Sequence, residues 1–100
     1  MQIIFEYHDI NTSTSLESFI TKKLNNLEEK YSFVHRADVF FKKENTSSDE
    51  TGLICNIRLS LPGPRLFAEA TNDDFHNSVS EAINILERQL KKRKEKMSNH

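Results

Sequence analysis

The strongest constraint on the fold is the alternation of apolar and other residues over positions 53–61. Five apolar side chains recur at every second position: Leu53, Cys55, Ile57, Leu59 and Leu61. A period of two residues is typical of a strand that buries one face. The chain must therefore form a sheet whose apolar face is covered by a second layer of structure.

Three further segments have the character of strands. Residues 2–7 are rich in β-branched and aromatic side chains, and residues 37–43 carry apolar side chains at alternate positions. Residues 65–70 follow a Pro62-Gly63 pair, which suits the centre of a type II turn and predicts a hairpin with the strand before it. The polar residues 44–52 between the second and third strands predict a mobile loop.

Two segments have helical periodicity. Residues 15–31 carry an apolar stripe, and Thr14 with Glu17 three positions later predicts a capping box at the start of this helix. Residues 74–96 carry a second stripe, formed by Val79, Ile83, Leu86 and Leu90. We expect Ile85 to be exposed and the last two turns of this helix to extend beyond the sheet into solvent.

The predicted order of the elements is β-α-β-β-β-α. A right-handed crossover through the first helix makes the first two strands parallel, and the short later connections make the other pairs antiparallel. Two amphipathic helices need one apolar sheet face to cover. The sequence therefore predicts a two-layer α+β domain, with a four-stranded mixed sheet and both helices on one face.

The length of the chain fits a single domain. One hundred residues can close one hydrophobic core, and we expect this domain to cover residues 1–97, followed by a short disordered tail over residues 98–100. No stretch approaches the roughly 18 apolar residues of a membrane span, and no secretory signal pattern is present. The single cysteine fits a reducing compartment. We expect a cytoplasmic protein with no membrane partner.

The sequence contains no pattern that predicts catalysis. The four histidines and Cys55 lack the spacing of metal ligands, and a chain with two glycines has no glycine-rich phosphate loop. Because Cys55 lies on the apolar face of the clearest strand, we predict a buried structural cysteine. We expect no enzymatic activity, no cofactor, no metal and no small-molecule substrate.

The charge is distributed unevenly along the chain. Residues 88–96 contain six basic side chains and one acidic side chain, a net charge of +5, whereas the whole chain carries −1, so residues 1–87 carry −6. The six cations are Arg88, Lys91, Lys92, Arg93, Lys94 and Lys96. One or two would only complement the helix dipole. Six favour a polyanionic partner.

The first helix has a smaller basic flank that contains Lys22, Lys23 and Lys30. Alone, this flank is equally consistent with a solvated surface. If both helices lie on one side of the sheet, the two basic edges line a shared groove, which would bind phosphates with strong salt dependence. Structured RNA is favoured over duplex DNA, because neither helix begins with the base-reading side chains of a major-groove reader.

Several short motifs occur together in the last strand and helix: Glu69-Ala70, Asp73-Asp74, Leu86-Glu87-Arg88-Gln89-Leu90, Lys92 and Lys94-Glu95-Lys96. A first strand containing Gln-Ile and a Ser/Thr-capped helix with Lys23-Leu24 and Leu27-Glu28 belong to the same pattern. With these motifs the chain resembles, over nearly its whole length, the bacterial ribosome hibernation promoting factors. These are also called ribosome-associated inhibitors or, in older naming, sigma-54 modulation proteins. The order of the predicted elements also matches that family.

The resemblance implies a function. Family members bind the small ribosomal subunit at the decoding region, where messenger and transfer RNA would lie, and they inhibit translation in stationary phase or stress. By matched position, the resemblance implies ribosomal RNA contacts at Lys23, Arg88, Lys92 and Lys94. By location alone, the further candidates are Lys22, Lys30, Lys91, Arg93 and Lys96.

The resemblance is to the short class of the family, which lacks the C-terminal domain that dimerises ribosomes in the long class. Members of the short class act beside a separate ribosome modulation factor, which leaves such a factor open as a second partner in parallel with the small subunit and its ribosomal RNA. The polar loop over residues 45–52 is longer than the family pattern leads us to expect.

Two other functions remain open. A protein-interaction regulator, such as a sigma-54 modulator, would need an exposed apolar patch, for which Phe40, Phe67 and Ile85 are the candidates. A general binding domain for double-stranded RNA would normally begin with its helix, whereas this chain begins with a strand. An apolar interface should weaken far less with rising salt than a phosphate-binding surface.

Overall fold

The structure is a computed structural model that describes residues 1–44 and 52–98. Its elements are β1 (Gln2–His8), α1 (Thr14–Lys30), β2 (Arg36–Lys43), β3 (Leu53–Ser60), β4 (Leu66–Asn72) and α2 (Phe75–Ser98). The predicted element order is confirmed. Most of the predicted loop, residues 45–51, lies outside the described residues, as does the end of the predicted disordered tail, residues 99–100.

The four strands form one mixed sheet in the order β1-β2-β3-β4. β1 is parallel to β2, and the two other pairs are antiparallel. The parallel pair is joined through α1, as a crossover connection requires, while a short turn joins β3 to β4. The predicted mixed sheet is confirmed.

The core lies between one face of the sheet and the two helices. The buried strand residues come from alternate positions, as the period of a strand requires; they include Ala37, Val39, Phe41, Cys55, Ile57, Leu59, Ala68 and Ala70. The helices cover them with Leu16, Ile20, Leu24, Leu27, Val79, Ala82, Ile83, Leu86 and Leu90. Both helices therefore pack on the same sheet face, as predicted, and neither helix covers the opposite face, which we call the open face.

The N-terminal cap of α1 differs from the predicted capping box. The cap residue is Ser13, whose hydroxyl accepts a hydrogen bond from the backbone N–H of Leu16 at 3.2 Å. Glu17 instead accepts a hydrogen bond from the Tyr7 hydroxyl of β1 at 2.5 Å. The prediction was wrong because a tertiary partner on the neighbouring strand engages the carboxylate, and Thr14 becomes the first residue of the helix.

The position of Ile85 also differs from the prediction of an exposed side chain. Ile85 is half-buried and packs against the core. Four residues later, Gln89 donates a hydrogen bond from Nε2 to the Phe67 carbonyl of β4 at 3.2 Å. This flank of α2 therefore lies against the edge strand of the sheet, which shields Ile85 from water.

The turn between β3 and β4 contains Gly63 at φ +90°. This is the left-handed region required at the second central position of a type II turn, with Pro62 at the first. A side-chain carbon at Gly63 would lie 3.1 Å from Nη1 of Arg93 on α2. The conformation of the turn and its close approach to α2 thus both favour glycine.

Candidate nucleic-acid interface

The two helices run side by side in the same direction. Near their N-terminal ends, the Phe19 and His76 rings lie 4.6 Å apart between centroids. Eleven residues later in each helix, the Lys30 ammonium pairs with a carboxylate oxygen of Glu87 at 2.9 Å. Both contacts join residues 57 positions apart, so the register is constant along the pair. The C-terminal ends of both helices, which carry Lys30 and the basic run of α2, therefore lie at the same end of the molecule.

Three of the predicted lysines line the seam between the helices. The Lys23 ammonium lies 5.0 Å from the centroid of the Phe19 ring, a cation–π arrangement. The Lys94 ammonium donates to the backbone carbonyl of Lys30 at 3.2 Å and lies 5.6 Å from the centroid of the Tyr31 ring. We call Lys23, Lys30 and Lys94 the seam lysines.

One of the seam lysines is paired with a carboxylate. Glu87 forms its ion pair with Lys30, and the hydrogen bond and the negative charge of Glu87 raise the pKa of the Lys30 ammonium. The seam contains three lysines and Glu87, so its net charge is positive. This arrangement favours a polyanion over a neutral ligand.

Three other predicted cations lie on the outer flank of α2. Arg88, Lys91 and Lys92 are exposed and line a shallow cavity of about 580 Å³, together with Ile85, Gln89 and Glu95. None of the three forms an ion pair with a carboxylate in the described part of the chain. We call Arg88, Lys91 and Lys92 the flank cations; their charges are fully available to a ligand.

Arg93 has a different environment from its neighbours. Its guanidinium donates from Nη1 to the Pro62 carbonyl at 3.0 Å and from Nη2 to the Pro64 carbonyl at 2.9 Å. Arg93 follows Leu86 by seven residues, so it continues the buried stripe beyond the edge of the sheet and meets the β3–β4 turn. The seven-residue spacing between Leu86 and Arg93 was the sequence signal for this contact. We did not use that signal.

The end of the apolar stripe predicted that the last turns of α2 extend into solvent. The structure confirms this only in part. Arg93 binds the turn, and Lys94 binds the C-terminal end of α1. Lys91, Lys92 and Lys96 do extend into solvent. Side chains with long apolar stems can contact the body of a domain even where no apolar residue continues the stripe.

The shared groove predicted between the helices is present only in part. The seam lysines line it, whereas the flank cations lie across the exposed back of α2. Lys22 lies on the other side of α1, beside a hollow that it lines with Phe5, Glu17 and Thr21. Most of the predicted cations thus surround the C-terminal end of the helix pair, whereas Lys22 and Lys23 lie nearer its N-terminal end.

Acidic residues mark the opposite end of the helix pair. Asp73 and Asp74 precede α2, and an Asp74 carboxylate oxygen accepts a hydrogen bond from the backbone N–H of His76 at 2.7 Å. This bond satisfies a free donor at the start of the helix, where negative charge is also favourable. Asp74 thus acts as a helix cap.

Other site chemistry finds little support in the described residues. Within residues 1–44 and 52–98, no group of three His, Cys, Asp or Glu side chains is placed to hold a metal ion. In the same residues, none of the helices combines the length and the apolar character needed to cross a bilayer. Cys55 is a buried free thiol, as predicted, and burial raises its pKa to about 12. A thiol of this kind is a poor nucleophile.

A family model for the sigma 54 modulation protein / S30EA ribosomal proteins matches residues 3–98. The chain belongs to this family. It is 25% identical over 100 residues to the ribosome hibernation promoting factor of Klebsiella oxytoca. It is 28% identical over 102 residues to the protein of the same name from Escherichia coli. Both alignments cover the whole of this chain and the whole of the relative. The resemblance proposed from the sequence motifs is confirmed.

Solved structures share the fold. The ribosomal subunit interface protein of Coxiella burnetii superposes with a TM-score of 0.81 at 24% identity, over 94% of this chain and 98% of the other. The N-terminal domain of Protein Y from Thermus thermophilus gives a TM-score of 0.77 at 21% identity, over 92% and 98% of the two chains. The predicted α+β architecture is confirmed.

Proposed function

We propose that this protein is a ribosome-associated regulator of translation that binds the small ribosomal subunit and blocks its decoding channel for messenger and transfer RNA. The family match over residues 3–98 and the full-length relatives named ribosome hibernation promoting factor support the ribosome as the partner. The observation that carries the proposal is the cluster of exposed cations at the C-terminal end of the helix pair, because ribosomal RNA is the polyanion within reach of such a factor.

The binding chemistry follows from the placement of the cations. Lys30, Lys94 and the flank cations together offer five positive charges at the C-terminal end of the helix pair, and Lys23 adds a sixth further along the seam. Neutralising about six phosphates releases their condensed counterions, so affinity should fall about a thousandfold over a fourfold rise in salt. Lys96 adds charge near the end of α2, whereas Lys22 lies on the other side of α1. Arg93 contributes by holding the helix against the turn.

In this proposal the protein inhibits translation by occupying the decoding channel. A folded domain held in the channel through RNA phosphates excludes the ligands that use the same space, and it needs no catalytic step or cofactor. The expected setting is the cytoplasm in stationary phase or stress, when ribosomes are idle.

The test is co-sedimentation of the purified protein with small subunits and whole ribosomes at low and high salt. The variant Arg88→Glu/Lys92→Glu reverses two flank cations that make no contact on which the fold depends. Its matched control is Lys42→Glu/Lys43→Glu, which makes the same change of charge at the end of β2, near the start of α2 rather than its basic end. We expect the flank variant to lose at least a hundredfold in affinity and the control to bind within a few-fold of the parent protein.

Equal losses in both variants would show that net charge, rather than the flank cations, governs binding. Binding by the parent protein that persists at high salt would point instead to an apolar interface with a protein, as a sigma-54 modulator would use. The bound protein should also be displaced when messenger and transfer RNA fill the channel. Simultaneous binding of all three would contradict the channel as the site.

A further inference from the structure

The open face of the sheet carries an exposed aromatic ring. Phe67 of β4 is 46% exposed, whereas its neighbour Ala68 is buried against the helices. Side chains alternate between the two faces of a strand, so the Phe67 ring lies on the face opposite the helices. In the described residues, the other large apolar side chain with comparable exposure is Met97, at 42%, near the end of α2.

A cation lies directly beside this ring. Arg58 of β3 is the cross-strand partner of Phe67, and side chains at such positions start about 5 Å apart. Arg58 is exposed and forms no ion pair with any residue in 1–44 or 52–98. The nearest carboxylate along the same row is Asp38, which is held by Arg36 through hydrogen bonds of 2.9 and 3.1 Å. Arg58 therefore retains its charge for a ligand.

The Phe67 site is continuous with the basic surface of α2. The Phe67 carbonyl accepts a hydrogen bond from Gln89, which lines the same cavity as Arg88 and Lys92. Arg65, an exposed cation two residues before Phe67, follows the Pro64 carbonyl that Arg93 binds. The ring is thus adjacent to cations on the sheet and, across the edge of β4, to the flank cations.

Exposed aromatic rings flanked by cations are typical of surfaces that bind unpaired nucleotides. A base stacks on the ring, and neighbouring phosphates contact the cations. An apolar protein partner would instead need a contiguous apolar patch. The cross-strand neighbour of Phe67 is an arginine, and Glu69 is the next β4 residue on that face. The chemistry therefore favours a nucleotide.

We propose that Phe67 is a stacking platform for one unpaired RNA base, with Arg58 and Arg65 on the adjacent phosphates. The inference rests on the proposed function and extends the RNA interface from the helices, around the edge of β4, to the open sheet face. It requires no displacement of the helices or strands. The platform would also let the protein distinguish an unpaired base from a regular duplex. Contacts with phosphates alone cannot make that distinction, because both kinds of RNA present phosphates.

The direct test uses Phe67→Trp. Because the chain contains no tryptophan, this variant carries a single one, at the platform. Its fluorescence is recorded during titration with small subunits and, separately, with an unstructured RNA hexanucleotide. Stacking of a base on the indole should quench the emission in both titrations. Emission that is unchanged, or that only shifts to the blue without quenching as in burial by protein, would overturn the inference.

The second test measures affinity for small subunits. Phe67→Leu keeps an apolar side chain but removes the π face, and the loss of one stacked base should weaken binding about tenfold. Phe67→Tyr should bind as the parent protein does. Met97→Leu is the matched control, because it changes the other exposed apolar side chain, and we expect no effect. Equal binding by the leucine and tyrosine variants at position 67 would contradict the platform.

The outcomes separate this inference from the proposed function. If the parent protein binds small subunits and Phe67→Leu binds equally well, the platform is wrong and the proposed function stands. If the parent protein does not bind small subunits, the proposed function is wrong. The hexanucleotide titration then decides the inference by itself: quenching of the tryptophan supports a base platform, and unchanged emission overturns it.

Discussion

Cys55 lies in the middle of β3, between Phe41 of β2 and Ala70 of β4, with no exposed surface. Burial disfavours the thiolate and raises the pKa of the Cys55 thiol from 9.0 to about 12. The unfolded chain releases this proton near pH 9, whereas the folded chain keeps it. The contribution of the neutral thiol to stability is therefore fully present below about pH 9 and is lost as pH rises towards 12.

The measurement is the reaction of Cys55 with a disulfide reagent such as dithionitrobenzoate. At pH 8 the folded protein should react slowly, since the thiol is both buried and protonated, and it should react at once in concentrated urea. The chain has a single cysteine, so the signal has one source. The free energy of unfolding of the parent protein should also fall more steeply above pH 9 than that of Cys55→Ala. Rapid stoichiometric reaction of the native protein would place the thiol at the surface.

At the scale of elements, the contact between α2 and the β3–β4 turn secures the end of the helix that carries the basic residues. The contact consists of two hydrogen bonds from the Arg93 guanidinium to the carbonyls of Pro62 and Pro64. Proline carbonyls in a turn have no strand partner, and a planar guanidinium can reach both at once. The turn and the helix thereby hold each other in place beyond the last buried leucine, Leu90.

Arg93→Ala should lower the free energy of unfolding by about 1 kcal/mol, because two charge-assisted but half-exposed hydrogen bonds are lost. Lys92→Ala is the matched control. It removes an adjacent exposed cation without such contacts, and its effect should stay within about 0.5 kcal/mol. Urea unfolding followed by circular dichroism measures both. Equal stability of the two variants would show that the turn does not depend on Arg93.

The sequence predicted the elements well because each one buries a single face. The alternation in β3 and the stripes of both helices are direct records of that burial, and the predicted bounds lie within two residues of those observed. The cap of α1 was mispredicted by one residue, because the competing partner of Glu17 is Tyr7 on another element. The spacing of apolar residues in a sequence indicates which side chains are buried. It does not indicate which residue of another element a polar side chain will contact.

The same limit explains what was missed in the candidate site. The run of cations in α2 was evident from the sequence. The sequence did not show that these cations reach different surfaces of the folded protein. Lys94 contacts α1, Arg93 contacts a turn, and Lys92 faces solvent, although the three are adjacent in sequence. Helical geometry separates neighbouring side chains by about 100°, so one basic run is distributed over several surfaces. The packing of the two helices decides which surface each cation reaches.

At the scale of the whole molecule, charge is separated along the helix pair. Asp73 and Asp74 precede α2 at one end, and Lys30, Lys94 and the flank cations lie towards the other end. Each sign also lies at the helix end that the macrodipole favours. A protein with a formal net charge of −1 can thus present a strongly basic end to RNA. Orientation, rather than total charge, determines how it meets a polyanion.

This separation predicts that acids at the far end have little influence on binding. Asp74 lies fourteen residues before Arg88, about 21 Å along the helix axis, whereas charges are screened over about 8 Å at physiological salt. Asp73→Asn/Asp74→Asn raises the formal net charge from −1 to +1, and asparagine serves equally well as a helix cap. Its affinity for small subunits at physiological salt should stay within about twofold of the parent value.

The informative comparison is with Arg88→Glu/Lys92→Glu at the same ionic strength. If local contacts govern binding, the reversal near the RNA should cost at least a hundredfold, while the neutralisation at the far end should change little. At low salt the screening length grows to about 30 Å at 0.01 M, so the far-end variant should then associate measurably faster than the parent protein. A large gain in affinity for the far-end variant at physiological salt would show that net charge controls binding, and it would remove the basic end of the helix pair as the specific site.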